Sequence, residues 1–402
     1  MTSKIEHRIY GCKVNKYYLN KWLSYFEKNP VDGSNFLVAS CVVTDRAKNK
    51  RLKEVSHQLE SWSKIYITGC GTLDRWKLIS EKDFYDVYPE LVKFKNKIFL
   101  LAETPDESDC NFSWVKNIYT KKFIVIQNGC DNYCTFCLTV LKRWKSRNRP
   151  AEEIIKEIQE FESKWWKEIV LTWINLAARW ASDTKKIVET KFPELLQQIL
   201  KETNIPRILI SSIGPEYINS DLLKILEDPR IMPHFHVSVQ SFSDNVLRLM
   251  KRNYSSNELK KALKGLQNLK RKDWIPISIW ADIIVWFPGE SDSDFLETCD
   301  GVEEFITKAH IFPFSAHDRR DGVPAWKLPD QISNEIKKYR KNKLSEIAEE
   351  SRNLFLEKNI WITHNVLVEW MKNGKVKWRT ENYIQVDLDW SFKRGDIVQF
   401  KI

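Results

Sequence analysis

The chain has 402 residues, enough for two or three domains, and 43% of them are apolar, which supports sizeable cores. A charged fraction of 29% argues against wholesale disorder, no apolar run reaches the length of a membrane span, and the N-terminus lacks a secretory stretch, so a cytoplasmic protein with no membrane partner is expected. Sixty-four Lys and Arg against 54 Asp and Glu leave +10, which suits an anionic partner such as RNA as readily as a solvated basic surface.

Residues 1–118 alternate short strands with helical stretches. His7 to Tyr10 precedes Cys12, Phe36 to Ala39 precedes Cys41, and Ile65 to Thr68 precedes Cys70. In a parallel α/β sheet such strand ends lie along one edge, so three cysteines about thirty residues apart can meet there. The competing reading is three unrelated core cysteines. Eight cysteines in a reducing compartment are metal ligands or core residues rather than disulfides.

From residue 119 a longer β/α series begins, with strands expected at Phe123 to Gln127, Glu168 to Thr172, Arg207 to Ser211, His236 to Gln240, Ile277 to Val285 and Ala309 to Phe314. Ile154, Ile155, Ile158 and Phe161, and likewise Leu259, Leu263 and Leu266, mark the buried faces of intervening helices. Six such units predict a partial (β/α)6 barrel over 119–333, with chemistry at the C-terminal strand ends. A charged helical connector spans 334–358. The last segment, 359–402, reads as short strands at Asn365 to Glu369, Lys375 to Lys377, Tyr383 to Val386 and Asp396 to Lys401, a small all-β module of a kind that often binds RNA.

The sharpest local signal is Cys130-Asp131-Asn132-Tyr133-Cys134-Thr135-Phe136-Cys137, directly after the first strand of the second series. Three thiolates at these spacings can wrap one inorganic core, and a four-iron cluster held by three cysteines keeps one iron open for a small molecule. Zinc is the competing reading, but a structural zinc site wants a fourth ligand that no nearby His or Cys supplies.

This loop, with Phe136 before its last cysteine, resembles that of the radical S-adenosylmethionine (SAM) superfamily. Gly11-Cys12-Lys13-Val14-Asn15, Ser40-Cys41-Val42-Val43-Thr44 and Thr68-Gly69-Cys70 resemble the N-terminal motifs of its methylthiotransferase family. Ser211-Ser212-Ile213, Ser238-Val239-Gln240-Ser241, Phe287-Pro288-Gly289-Glu290 and Phe312-Pro313-Phe314-Ser315 follow in the family's order, and the C-terminal segment is similar to the RNA-binding TRAM domain.

The resemblance implies an α/β fold: a parallel N-terminal domain, a TIM-like radical SAM half-barrel and a TRAM-like module. It implies two [4Fe–4S] clusters. One, on Cys130, Cys134 and Cys137, would bind SAM and start radical chemistry at adenine C2, where no side-chain base removes the hydrogen readily. The other, on Cys12, Cys41 and Cys70, would hold the sulfur to be methylated and transferred. Phe136 would lie near the cofactor's adenine, and Asn175, Gln240 and Asp282 are candidates for its polar contacts or ordinary core residues. The flanks Lys13-Val14-Asn15 and Ser211-Ser212-Ile213 are most similar to the branch acting on N6-threonylcarbamoyladenosine at tRNA position 37. Isopentenyladenosine, or an iron-sulfur RNA-binding protein that has lost catalysis, are the alternatives. Arg143, Arg147 and Arg149 after the loop, and Arg379 and Tyr383 in the last module, are the expected RNA contacts. A flavodoxin- or ferredoxin-like electron donor and a monomeric state complete the expectation.

Seventeen Trp outnumber 12 Gly, and Gly is far below its usual ~7% share, a deficit the Trp excess fills. Trp stands where the family pattern has Gly at Trp144, Trp173, Trp180, Trp280, Trp286, Trp378 and Trp390. Trp165-Trp166 ends a helix where the chain wants a left-handed residue, and Asp389-Trp390 stands where Asp-Gly would turn a hairpin. An opal codon read as glycine in the source organism explains this pattern. A genuinely Trp-rich, divergent enzyme is the other reading.

Overall fold

A computed structural model describes residues 5–41, 45–61, 64–105, 120–143, 145–175, 191–315, 322–329, 334–370, 376–386 and 392–402. The chain divides into two compact units. The first comprises Met1–Ile118, Asn128–Arg147 and Ser315–Trp326, and the second Tyr119–Gln127, Asn148–Phe314 and Lys327–Ile402. The cysteine loop therefore packs with the N-terminal unit, and the helical connector and last module pack with the barrel strands.

In the first unit, β1 (Ile5–Ile9), β2 (Asn35–Ser40), β3 (Lys64–Gly69) and β4 (Ile98–Leu100) form a parallel sheet in that order. Helices α1 (Lys13–Lys28) and α2 (Asp45–Ser61) make the crossovers. β2 is buried along its whole length, as expected of a strand covered on both faces. Phe36, Val38, Ile65 and Ile67 pack in one cluster, Leu37, Ala39 and Tyr66 in another with Leu19 and Trp22 of α1.

The second unit has six parallel strands: β5 (Lys122–Val125), β6 (Glu168–Thr172), β7 (Arg207–Ile210), β8 (His234–Gln240), β9 (Ser278–Val285) and β10 (Lys308–Pro313). They form two triplets, β5-β6-β7 and β8-β9-β10, linked by bridges from Ile208 to Ile231 and from Ile213 to Val237. Along β8 and β9 alternate residues Phe235, Val237, Val239, Ile279, Ala281 and Ile283 are buried in the core. The intervening His236, Ser238, Gln240 and Asp282 face the open side, because successive strand residues point to opposite faces. Helices α3 (Ala151–Glu162) and α4 (Ser256–Gln267) bury Ile154, Ile155, Ile158 and Phe161, and Leu259, Leu263 and Leu266. A Ser255/Glu258 capping box starts α4.

The last module is a four-stranded antiparallel sheet of β11 (Thr363–Trp370), β12 (Val376–Arg379), β13 (Gln385–Val386) and β14 (Ile397–Lys401), in the order β13-β12-β11-β14. It is tied to the starts of the barrel strands. Arg207 donates to Glu168 Oε2 at 2.8 Å and to the Asn365 carbonyl at 2.7 Å, and Lys121 reaches Glu369 at 2.5 Å.

Candidate functional site: two cysteine trios and a polar half-barrel face

Cys12, Cys41 and Cys70 follow β1, β2 and β3. Ser40 pairs with Gly69, so Cys41 and Cys70 leave neighbouring strands at the same level. Gly11 turns at a φ of 106°, and a Cβ on it would come within 2.9 Å of Cys41 Sγ, so the Cys12 turn lies against Cys41 and only glycine fits there. Asn15 locks this edge by donating to the carbonyls of Tyr10 (3.0 Å) and Ser40 (3.1 Å).

Arg143 completes the site. Its guanidinium, 1% exposed, donates to Cys70 Sγ at 3.2 Å, to Asn15 Oδ1 at 3.0 Å and to Asn128 Oδ1 at 3.1 Å, and pairs with Glu103. Burial pushes the Cys70 thiol pKa up and the Arg143 charge opposes it. Arg143, expected at an RNA phosphate, is in this structure buried with its guanidinium engaged by four partners. Its position in a basic run suggested the solvated role, and only its distant partners reveal the other.

In the Cys130 to Cys137 loop, hydrogen-bond donors surround the sulfurs. The Thr139 N–H donates to Cys137 Sγ at 3.3 Å and the Asn132 N–H to Cys130 Sγ at 3.5 Å, while the Cys137 thiol donates to the Thr139 hydroxyl oxygen at 3.1 Å. Such donors stabilise thiolates that carry cluster charge. Cys134 is buried, Cys130 and Cys137 are partly open, and no described cysteine is in a disulfide. Among the described residues only His236, Asp282 and His310 bring three metal-ligating atoms within 4.8 Å of one another. The buried Arg143 charge beside Cys70 and the N–H groups donating to Cys130 and Cys137 are surroundings that fit sulfur-ligated iron.

In the second unit, the C-terminal strand ends carry the other candidates. Gln127 Oε1 accepts from the N–H groups of Ile174 (3.2 Å) and Asn175 (3.1 Å), while Asn175 Nδ2 is buried without a hydrogen bond. Gln240 has a φ of 70°. Asp282 lies between His236 (3.0 Å) and His310 (3.3 Å), two neighbours that sequence reasoning did not single out. Their signal was His-x-His on β8 and a His two residues into β10, invisible without the register that aligns Asp282 with His310. Trp173 donates to the Ser212 carbonyl at 2.6 Å, and the ring nitrogens of Trp280 and Trp286 are buried with no hydrogen-bond partner among the described residues.

The remaining expected RNA contacts are mostly occupied. Tyr383 stacks on His234 with ring centroids 4.4 Å apart, and its hydroxyl accepts from Lys121 at 3.0 Å, so it joins the module to the barrel instead of offering a free ring. Arg379 pairs with Glu369 at 3.2 Å and Arg149 with Glu157 at 2.8 Å, which leaves neither with an uncommitted charge. Arg147 is exposed, over the Trp76 ring at 5.0 Å, and Lys145 is exposed beside it. Cys110, Trp144, Trp180 and Trp390 lie outside the described residues.

A family model described as the radical SAM superfamily matches residues 124–302. The threonylcarbamoyladenosine tRNA methylthiotransferase MtaB of Thermotoga maritima is 31% identical, covering 94% of this chain and 89% of its own length. The protein of that name from Bacillus subtilis is 28% identical, covering 85% and 79%. The tRNA-2-methylthio-N(6)-dimethylallyladenosine synthase of Alcanivorax borkumensis is 28% identical, covering 95% and 91%. Among solved structures, the radical SAM methyltransferase TsrM from Kitasatospora setae shares the fold at a TM-score of 0.52 and 9% identity, over 77% of this chain and 72% of its own. The chain belongs to the radical SAM methylthiotransferase family. Superfamily membership implies a [4Fe–4S] cluster and SAM. No helix among the described residues is long and apolar enough to cross a membrane.

Proposed function

We propose that this chain is a tRNA methylthiotransferase that places a methylthio group on C2 of N6-threonylcarbamoyladenosine at position 37. The observation that carries the reading is the pair of cysteine trios, each in surroundings that suit a cluster, within a chain similar over nearly its whole length to MtaB. Cys130, Cys134 and Cys137 would hold the SAM cluster, and Cys12, Cys41 and Cys70 a second one. When bound, these groups supply the one-electron and sulfur chemistry that an aromatic C–H bond demands and no side chain provides.

The chain's own residues set the conditions. Arg143 neutralises charge at Cys70 and rigidifies the edge through Asn15. Thr139 and Asn132 orient the sulfurs of the other loop. Phe136, Asn175 and Gln240 are assigned to the cofactor, whereas Asp282, engaged by His236 and His310, is not; Lys145 and Arg147, exposed next to the loop, are assigned to RNA phosphates. Residues 1–118 and 119–333 carry the two cluster functions, 334–358 connects, and 359–402 serves RNA binding. The enzyme acts in the cytoplasm as a monomer, with a flavodoxin- or ferredoxin-like donor supplying the electron.

Anaerobically reconstituted protein, given SAM, reductant and tRNA bearing either modified adenosine, is the test. Nucleoside mass spectrometry is expected to show the methylthio product of threonylcarbamoyladenosine, lost in Cys134→Ala and in Cys41→Ala. Product only from isopentenyladenosine, or SAM cleavage without any tRNA product, overturns the assignment.

A further inference from the structure

The open face of the second unit's sheet carries a ligand set that uses no cysteine. His236 Nε2 and His310 Nδ1 lie 3.0 and 3.3 Å from the same oxygen, Asp282 Oδ1. They come from three adjacent parallel strands, at levels set by the pairings of His236 with Trp280 and of Asp282 with His310. Among the described residues no Lys or Arg pairs with Asp282. His236 Nε2 is buried and, despite its closeness to the carboxylate, meets no hydrogen-bond geometry. Two imidazoles and one carboxylate converging from one side leave the other coordination positions to the open face, the arrangement that borderline divalent metals favour.

We propose that His236, Asp282 and His310 bind a divalent transition-metal cation of the zinc or iron(II) kind. The test is anomalous diffraction at the zinc edge from full-chain crystals soaked with stoichiometric zinc. The expected result is a peak at about 2.0–2.2 Å from His236 Nε2, Asp282 Oδ1 and His310 Nδ1. It should be absent in His310→Gln crystals of unchanged fold. No peak at the triad in the parent protein, or an undiminished peak in the variant, overturns the assignment. Because the readout is a position, it is independent of the tRNA activity.

A second inference stands on backbone conformation alone. Among the described residues, ten non-glycine residues have clearly positive φ, and five of them are tryptophan: Trp76 (66°), Trp165 (63°), Trp274 (57°), Trp286 (68°) and Trp361 (72°). Left-handed backbone disfavours every L side chain, and the residues that tolerate it are Gly, Asn and Asp. Three of the rings do not compensate by packing, since Trp165, Trp274 and Trp361 are 89%, 87% and 77% exposed. Trp165 follows the end of α3, where its N–H bonds the Glu162 carbonyl at 2.8 Å, the usual place of a helix-ending glycine. Trp22 contrasts: buried in a helix, its indole donates to the Ala102 carbonyl at 3.1 Å.

We infer that the codons at these five positions are opal triplets that the source organism reads as glycine, so the working protein has glycine there. Sequencing the coding DNA is expected to give TGA at all five and TGG at Trp22, and peptide mass spectrometry of protein from the source cells is expected to find glycine at each of the five. A TGG triplet at any of them, or a tryptophan-containing native peptide, overturns the inference.

Discussion

Replacing Arg143 by methionine keeps an unbranched apolar stem and removes the charged guanidinium. In the wild type the guanidinium is buried and serves Cys70, Asn15, Asn128 and Glu103 together. Removing one partner of a buried charge pair costs about 3–5 kcal/mol, because the remaining charge stays uncompensated. The neutral acceptors share that loss and do not add to it in full. Against a total stability of about 5–15 kcal/mol, the first unit should lose a large part of its margin. Urea unfolding of cluster-free protein, followed by near-ultraviolet circular dichroism, reads the change. The double variant Arg143→Met with Glu103→Gln should recover much of the loss, since it leaves no unpaired carboxylate. A single variant within about 0.5 kcal/mol of wild type, the ordinary range for a surface substitution, would refute the buried network. So would a double variant no better than the single. If Arg143 instead gripped RNA, the salt slope of tRNA binding would fall by about one charge, whereas the buried network predicts an unchanged slope.

Other consequences are as specific. Burial pushes the Glu290 carboxyl up to about 7 although Arg340 lies 2.6 Å away. The folded chain then holds a proton that the unfolded chain releases from about pH 4.5, so stability falls as pH rises from there to 7, by up to about 1.4 kcal/mol per pH unit. Urea midpoints at pH 5, 6 and 7 should lose that slope in Glu290→Gln; an identical slope in both proteins counts against it. Lys121→Met removes the cation that Glu168 and Glu369 share, and because Arg207 and Arg379 still pair with them it should cost about 1–3 kcal/mol in urea unfolding. A loss below 1 kcal/mol would mean the module is held by other contacts. In the tryptophan-containing protein, Trp165→Gly should gain about 1 kcal/mol by relieving left-handed strain, less the entropy glycine loses on folding. Trp378→Gly, 1% exposed between Val366 and Val368, should lose about 3–5 kcal/mol; equal effects at both sites would contradict the conformational argument.

Local pattern made much of the architecture legible. The β-branched runs at Glu168 to Thr172 and Arg207 to Ser211 are strands in the structure, within a residue of the expected ends, because a buried parallel strand announces itself in consecutive apolar residues. The antiparallel module was readable from turn spacing, although β11 runs longer, from Thr363 to Trp370. Trp165 was readable as a left-handed position because a helix end is a local event. The basic run after Cys137 misled for the converse reason. Charge looks solvated in a sequence, and whether Arg143 meets water depends on residues 40, 73 and 128 positions away.

By itself, the sequence determined the spacing of the cysteines, the order of strands and helices, and the left-handed helix end at Trp165, all set by neighbours within a few residues. Tertiary structure alone decided that Arg143 is buried against Cys70, that Tyr383 joins the module to His234, and that Asp282 meets His236 and His310. Each of those depends on which distant segments exclude water together and on the register between strands, quantities that no short window of sequence contains.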